Sequence, residues 1–66
     1  MIFAVYFTVD TFPRQRNTLY LAAQTLGDAR RLAPKLVKDN ERNSGPATFI
    51  GFDILSDEDI IELLNQ

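Results

Sequence analysis

The stretch Ile2-Phe3-Ala4-Val5-Tyr6-Phe7-Thr8-Val9 decides the fold. Branched and aromatic residues dominate it, and the turn-forming run Asp10-Thr11-Phe12-Pro13 ends it, which predicts a β-strand. Its alternating faces both carry bulky apolar side chains: Phe3, Val5, Phe7 and Val9 on one, and Ile2, Ala4 and Tyr6 on the other. A strand that is apolar on both faces belongs in the centre of a sheet, and we expect the Phe face to meet the core.

A second strand is predicted from Thr18 to Gln24, antiparallel to the first. Leu19, Leu21 and Ala23 alternate there with Thr18, Tyr20, Ala22 and Gln24. The connection before it is longer than a two-residue hairpin turn. We expect it to expose Arg14 and Arg16 at its tip.

Thr25-Leu26-Gly27-Asp28 matches a capping box and opens a long amphipathic helix. Apolar residues follow at helical spacing: Ala29, Leu32, Ala33, Leu36 and Val37. Pro34 lies inside this pattern, where proline removes a backbone donor, so we expect a kink or a helix in two pieces. The helix should end near Arg42, ahead of the turn residues 43–46.

The C-terminal part predicts a third strand, Ala47 to Leu55, and a short terminal helix. Simple alternation places Thr48, Ile50, Phe52 and Ile54 on one face and Ala47, Phe49, Gly51, Asp53 and Leu55 on the other. Gly51 is a candidate position for a bulge. Ser56-Asp57-Glu58-Asp59 is a second capping box, and Ile60, Ile61, Leu63 and Leu64 form the apolar side of the helix that follows.

The element order is therefore β-β-α-β-α, in one α+β domain that spans residues 1–66. Chain direction makes an antiparallel sheet in spatial order 2-1-3 the simplest arrangement. The long helix should pack on the face that carries Phe3, Val5 and Phe7.

The composition argues against catalysis. Cys and His are both absent, which excludes Cys–His pairs, His-based triads and ordinary zinc sites. The carboxylates near the third strand lack the spacing of a calcium loop, and the glycines match no nucleotide fingerprint. We therefore predict a protein that is not an enzyme and uses no metal or cofactor.

The sequence also predicts where the chain acts. Absent Cys gives no sign of a secreted disulfide framework, and Met1-Ile2-Phe3 lacks the positive lead-in of a signal peptide, so a cytoplasmic location is expected. The longest apolar run, 2–7, is far below the roughly 20 residues that span a bilayer. Small scaffolds without disulfides or metals gain stability by self-association, so a homodimer is a further expectation.

Charge is divided along the chain. All seven basic residues lie between Arg14 and Arg42; from Asn43 onward there are acids and no base. Arg31, Lys35, Lys38 and Arg42 form a stripe along the long helix, which Arg30, Arg14 and Arg16 would extend. The stripe is either an ordinary solvated helix face or a docking patch for phosphates or an acidic protein surface.

The second sheet face offers another candidate surface. Tyr6 and Tyr20 should lie near each other across the first hairpin, with Phe49 on the flanking strand. If the terminal helix covers this face, the rings form a second, minor core. If that helix packs elsewhere, they form an exposed aromatic patch, which is typical of interfaces or of base-stacking platforms; acidic neighbours such as Asp53 favour an interface.

The run Leu26-x-x-Ala29-Arg30-Arg31-Leu32-Ala33-x-Lys35, after an opening strand with Ala4 and Tyr6, resembles the N-terminal half of a small phage-encoded anti-CRISPR protein that inhibits a type I surveillance complex. The resemblance implies a non-enzymatic inhibitor that docks on the crRNA-bound Cas backbone and obstructs target DNA. It also implies that Arg30, Arg31 and Lys35 carry the contacts. It covers about half of the chain.

Three hypotheses follow. The first is a protein-binding module that blocks a host nucleoprotein complex. The second is a nucleic-acid-binding domain whose basic loop and helix stripe hold phosphates. The third is a subunit whose acidic C-terminal half mates with the basic half of another copy, giving a salt-sensitive dimer.

Overall fold

The computed structural model describes residues 1–11 and 13–66; Phe12, part of the turn predicted after the first strand, lies outside them. The elements are β1 (Ile2–Val9), β2 (Gln15–Ala22), α1 (Leu26–Ser44), β3 (Ala47–Ile54) and α2 (Asp57–Leu64). The predicted β-β-α-β-α order is confirmed.

The three strands form one antiparallel sheet in the order β2-β1-β3, as predicted. β1 is the central strand because both of its faces are apolar and need cover. Val5 marks the middle of the sheet, since it pairs with Leu19 on β2 and with Phe52 on β3.

β2 starts and ends earlier than the predicted Thr18–Gln24. Gln15 pairs with Val9 and Ala22 pairs with Ile2, so the full length of β1 has a partner. The polar residues at the start of β2 were assigned to a loop because they carry no apolar alternation. They join the strand because β1 offers them unpaired backbone groups.

The core lies between α1 and one face of the sheet. Phe3, Val5 and Phe7 are buried on that face, as predicted. On α1, the buried residues are Ala29, Ala33 and Val37. Two alanines at i and i+4 let the helix backbone approach the sheet closely, and the Phe3 and Phe52 rings meet edge to face at 6.0 Å.

α1 is one helix that runs through Pro34, so the prediction of two pieces is wrong and the kinked alternative remains. Pro34 lies on the exposed side of α1. The Arg30 carbonyl, which loses its usual donor there, also belongs to an exposed residue and can accept from water. That position is the reason the helix tolerates a proline.

Both ends of α1 are capped. The Thr25 hydroxyl accepts from the Asp28 N–H at 3.1 Å, which confirms the predicted cap. α1 ends two residues later than predicted, at Ser44, where Gly45 takes a positive φ of 85°. The Gly45 N–H donates to the Glu41 carbonyl at 2.9 Å, and glycine suits this left-handed position because it has no Cβ.

A β-bulge interrupts the pairing of β1 with β3. Tyr6 pairs with Gly51, but Phe7 pairs with Phe49, so Ile50 is the extra residue. The bulge predicted near Gly51 is confirmed. It also reverses the facing of the first half of β3, so Phe49 packs against the core and not beside the tyrosines. The prediction of Phe49 on the tyrosine face is therefore wrong.

α2 has the predicted capping box: the Ser56 hydroxyl accepts from the Asp59 N–H and the Asp59 carboxylate accepts from the Ser56 N–H, both at 3.2 Å. None of its residues is fully buried. Ile60 and Leu63 are partly buried, whereas Ile61 and Leu64 are exposed. Neither α1 nor α2 is long and apolar enough to cross a membrane.

The position of Pro34 generates a stability prediction. Pro34→Ala should raise the free energy of unfolding by about 1–3 kcal/mol, because alanine restores the donor to the Arg30 carbonyl and has the higher helix propensity. Urea denaturation followed by circular dichroism measures the change. Lys38→Ala, at another exposed site of α1, is the control and should stay within about 0.5 kcal/mol. Equal stability of the two variants would contradict this account of Pro34.

Candidate partner-binding surfaces

The first candidate surface is the outer side of α1, which we call the helix surface. Because Ala29, Ala33 and Val37 face the sheet, residues on the opposite side of the helix point to solvent. Four exposed cations lie on that outer side: Arg31, Lys35, Lys38 and Arg42. The predicted stripe is therefore present, and Arg30, which is also exposed but lies about 100° around the helix from Arg31, flanks it at the edge nearer the sheet.

Most of this positive charge is free to meet a partner. Arg31 forms an exposed ion pair with Asp28, at 3.4 Å, and exposed pairs of this kind contribute little stability. Within residues 1–11 and 13–66, no other cation forms a salt bridge. Asp39 is also exposed on α1, so the helix surface carries mixed charge with a positive excess.

The two remaining arginines do not behave as one group. Arg14 is exposed in the connection between β1 and β2. Arg16 lies within β2 and pairs with Thr8, on the sheet face opposite α1. The expectation that Arg16 sits at a loop tip and extends the helix stripe is wrong, because β2 begins earlier than its polar sequence indicates.

Arg16 instead covers a tyrosine. Its guanidinium carbon lies 4.9 Å from the centroid of the Tyr6 ring, within the range of a cation–π contact. Thr18 pairs with Tyr6 across the hairpin, so Arg16 reaches Tyr6 diagonally along the same face. The Tyr6 ring is thus a surface that already receives a planar cation.

The second candidate surface is a groove between the sheet and α2, which we call the tyrosine groove. Its floor is formed by side chains of β1 and β2: Ala4, Tyr6, Thr18 and Tyr20. Its wall is formed by residues of α2 and its flanks: Leu55, Asp59, Glu62, Leu63 and Gln66. The groove encloses about 300 Å³ and opens to solvent.

α2 covers part of this sheet face and leaves the rest open. Ala4 is buried under it, at 3% exposure, whereas Tyr20 remains 51% exposed. The structure therefore lies between the two alternatives drawn from the sequence. Tyr6 and Tyr20 share one groove, as expected, but they form neither a sealed second core nor a bare aromatic patch.

The wall of the groove is acidic. One Asp59 oxygen accepts from the Ser56 N–H at 3.2 Å, which holds the carboxylate in place at the start of α2. Glu62 forms no side-chain hydrogen bond or salt bridge with the described part of the chain. Its carboxylate is therefore free to pair with a cation that enters the groove.

Sequence reasoning missed the α2 side of this groove. It assigned Asp57, Glu58 and Asp59 to the capping box at the start of α2, and the capping role holds for Asp59. The missed signal is spacing: Asp59, Glu62 and Gln66 stand at i, i+3 and i+7, which places them on one side of a helix. That side meets the tyrosines only because α2 folds back over the sheet.

Within residues 1–11 and 13–66, no three acidic side chains are grouped closely enough to hold a metal ion. Comparisons with protein-family models, with curated proteins and with solved structures find no match to this chain.

The contact between Arg16 and Tyr6 can be tested by mutation. Arg16→Gln should lower the free energy of unfolding by about 0.5–1 kcal/mol, the range of exposed cation–π pairs. The same substitution in a Tyr6→Leu background should cost less, since the ring is gone. Arg14→Gln is the matched control and should be neutral. Equal losses from the two arginine substitutions, measured in urea, would contradict the contact.

Proposed function

We propose that this chain is a non-enzymatic protein-binding module that docks through the helix surface on an acidic region of a host protein or nucleoprotein complex. The observation that carries the proposal is the arrangement of Arg31, Lys35, Lys38 and Arg42 as one exposed row, flanked by Arg30, on a helix whose other side packs into the core. A rigid helix holds such a row in fixed register, which limits the entropy lost on docking.

The mixed charge of this surface favours a protein partner over naked nucleic acid. Arg31 already forms an ion pair with Asp28, and Asp39 is exposed on the same helix. The chain as a whole has a net charge of −2. A phosphate backbone would repel those carboxylates, whereas a protein surface can offer them donors. Arg16 lies on the other sheet face, so it adds nothing to a continuous basic track.

The proposal extends to inhibition. The N-terminal half resembles a small phage-encoded anti-CRISPR protein, and that resemblance names one partner to test: the crRNA-bound backbone of a type I surveillance complex. Arg31 and Lys35 belong to the helix surface, and Arg30 flanks it. A module docked there through its helix would act by obstructing target DNA, in the cytoplasm, without chemistry of its own.

The second candidate function is a small nucleic-acid-binding domain. The favouring observation is that Lys35, Lys38 and Arg42 form no salt bridge with any described residue, so they are free for phosphates. Gel shifts on naked DNA and RNA decide between the two functions. Nucleic-acid binding predicts a shift at low salt that weakens steeply as salt rises, and the proposed module predicts none.

The docking prediction concerns charge reversal on the helix surface. Arg31→Glu/Lys35→Glu should reduce recovery of the partner by about tenfold or more, because each reversal replaces an attraction with a repulsion. The measurement is recovery of a purified, crRNA-bound type I complex on the immobilised chain, together with target-DNA binding by that complex. The chain should block DNA binding and the double variant should restore it.

The control distinguishes an effect of the helix surface on docking from an effect of net charge. Lys35→Glu and Arg14→Glu change the charge equally at two exposed sites, but only Lys35 lies on α1. Lys35→Glu should weaken docking several-fold and Arg14→Glu should leave it nearly unchanged. If both single variants weaken docking to the same extent, the helix surface is not the binding element. If the unmodified chain neither binds nor inhibits the complex, the anti-CRISPR-like proposal fails.

A further inference from the structure

We propose that the tyrosine groove is a second docking site, which takes an arginine or lysine side chain from an extended basic segment of a partner protein. This inference concerns the sheet face opposite α1 and does not depend on the helix surface. It begins from a feature that the proposed function leaves unused: an open groove with aromatic rings on its floor and carboxylates on its wall.

The floor suits a cation. Tyr6 and Tyr20 both line the groove, and the guanidinium carbon of Arg16 lies 4.9 Å from the centroid of the Tyr6 ring. That contact shows that a planar cation is accommodated on this face. The Tyr20 ring lies along the same floor and is half exposed, so it is available for the equivalent contact with an incoming side chain.

The wall supplies the complementary charge. Asp59 and Glu62 line the groove, and the Glu62 carboxylate lacks a partner within residues 1–11 and 13–66. No basic residue occurs after Asn43 to neutralise them. A carboxylate and an aromatic face on two sides of one groove together favour a cation over a neutral side chain, since each contributes attraction to positive charge.

The extent of the charged wall determines which kind of partner segment the groove can bind. The two wall carboxylates, Asp59 and Glu62, stand three residues apart on α2, about 4.5 Å along the helix axis, whereas the cations of α1 from Arg31 to Arg42 extend over about 16 Å; the wall therefore has charge for one cationic side chain at a time. The groove thus takes side chains from an extended segment more readily than it takes a whole helix. This argues against the α1 helix of a second copy as the occupant, although that helix carries the right charge.

The test uses short peptides on the full chain. The probe is a capped five-residue peptide with one arginine among glycines and serines, and its control replaces the arginine with citrulline, which is neutral and nearly isosteric. Amide chemical shifts are followed by NMR at physiological salt. We expect millimolar binding of the arginine peptide, with shifts confined to Tyr6, Thr18, Tyr20, Glu62 and their neighbours. The citrulline peptide should bind at least about fivefold more weakly.

Two matched variants test whether the Glu62 carboxylate contributes to binding of the peptide. Glu62→Gln and Glu58→Gln make the same change on exposed positions of α2, but only Glu62 lines the groove. Glu62→Gln should weaken binding of the arginine peptide by about threefold or more, and Glu58→Gln should change its affinity by less than about 1.5-fold. Tyr20→Leu, at a half-exposed site, should weaken it to a similar degree as Glu62→Gln.

Several outcomes would overturn the inference. They are equal binding of the arginine and citrulline peptides, equal effects of the two glutamine substitutions, or shifts that map outside the groove. Groove shifts that depend on protein concentration without any peptide would assign the groove to a second copy of the chain and reject the partner segment. Because the assay uses no variant of α1, its result leaves the helix-surface proposal untouched.

Discussion

The packing of α1 on the Phe3, Val5 and Phe7 row is the interaction on which the rest of the structure depends. Phe3, Val5, Ala29 and Ala33 are all at 0% exposure, and no other residue within 1–11 and 13–66 is as completely buried. A chain of 66 residues can build only one such core. α1 packs on one face of the sheet, and the eight residues of α2 lie over part of the other face.

The bulge in β3 shapes that second face. By turning Phe49 toward the core, it improves the packing under α1 and removes a large ring from the opposite side. Gly51 stands opposite Tyr6, and a side chain added at Gly51 would meet nothing within 4 Å. The face that α2 partly covers is therefore left with space on the β3 side of Tyr6. The groove lies on the other side of Tyr6, over β1 and β2, and none of the described residues 47–54 of β3 lines it.

The sequence was sufficient to predict the structure where the local residue pattern and the tertiary packing favour the same conformation. The central position of β1 followed from apolar residues on both faces, and both helix starts followed from capping residues at Thr25 and Ser56, because these signals act over a few residues. It was insufficient where a segment distant in the sequence determines the conformation of a residue. Arg16 joins β2 because β1 has backbone groups to pair with, and Phe49 changes face because one extra residue lies upstream of Gly51.

The candidate site divides in the same way. Periodicity alone placed Arg31, Lys35, Lys38 and Arg42 on one side of α1. It could not place Asp59 and Glu62 beside the tyrosines, since nothing in the local sequence of α2 states which part of the sheet it will cross. The return of the chain after Leu55, whose N–H donates to the Ile2 carbonyl at 2.9 Å, sets that direction.

The result is a thin molecule whose two broad sides differ in charge: α1 carries a positive excess, and the other side carries the four carboxylates of α2 with Arg16 on the same sheet face. The molecule's shortest dimension is 17 Å, about twice the screening length of roughly 8 Å at physiological salt. The cations of α1 and the carboxylates of α2 therefore act on their surroundings almost independently, even though the net charge is only −2. A molecule that approaches the side of α2 meets mainly carboxylates, whereas one that approaches α1 meets mainly cations. Such a separation of charge gives the chain a dipole, which orients a molecule in the field of a charged surface.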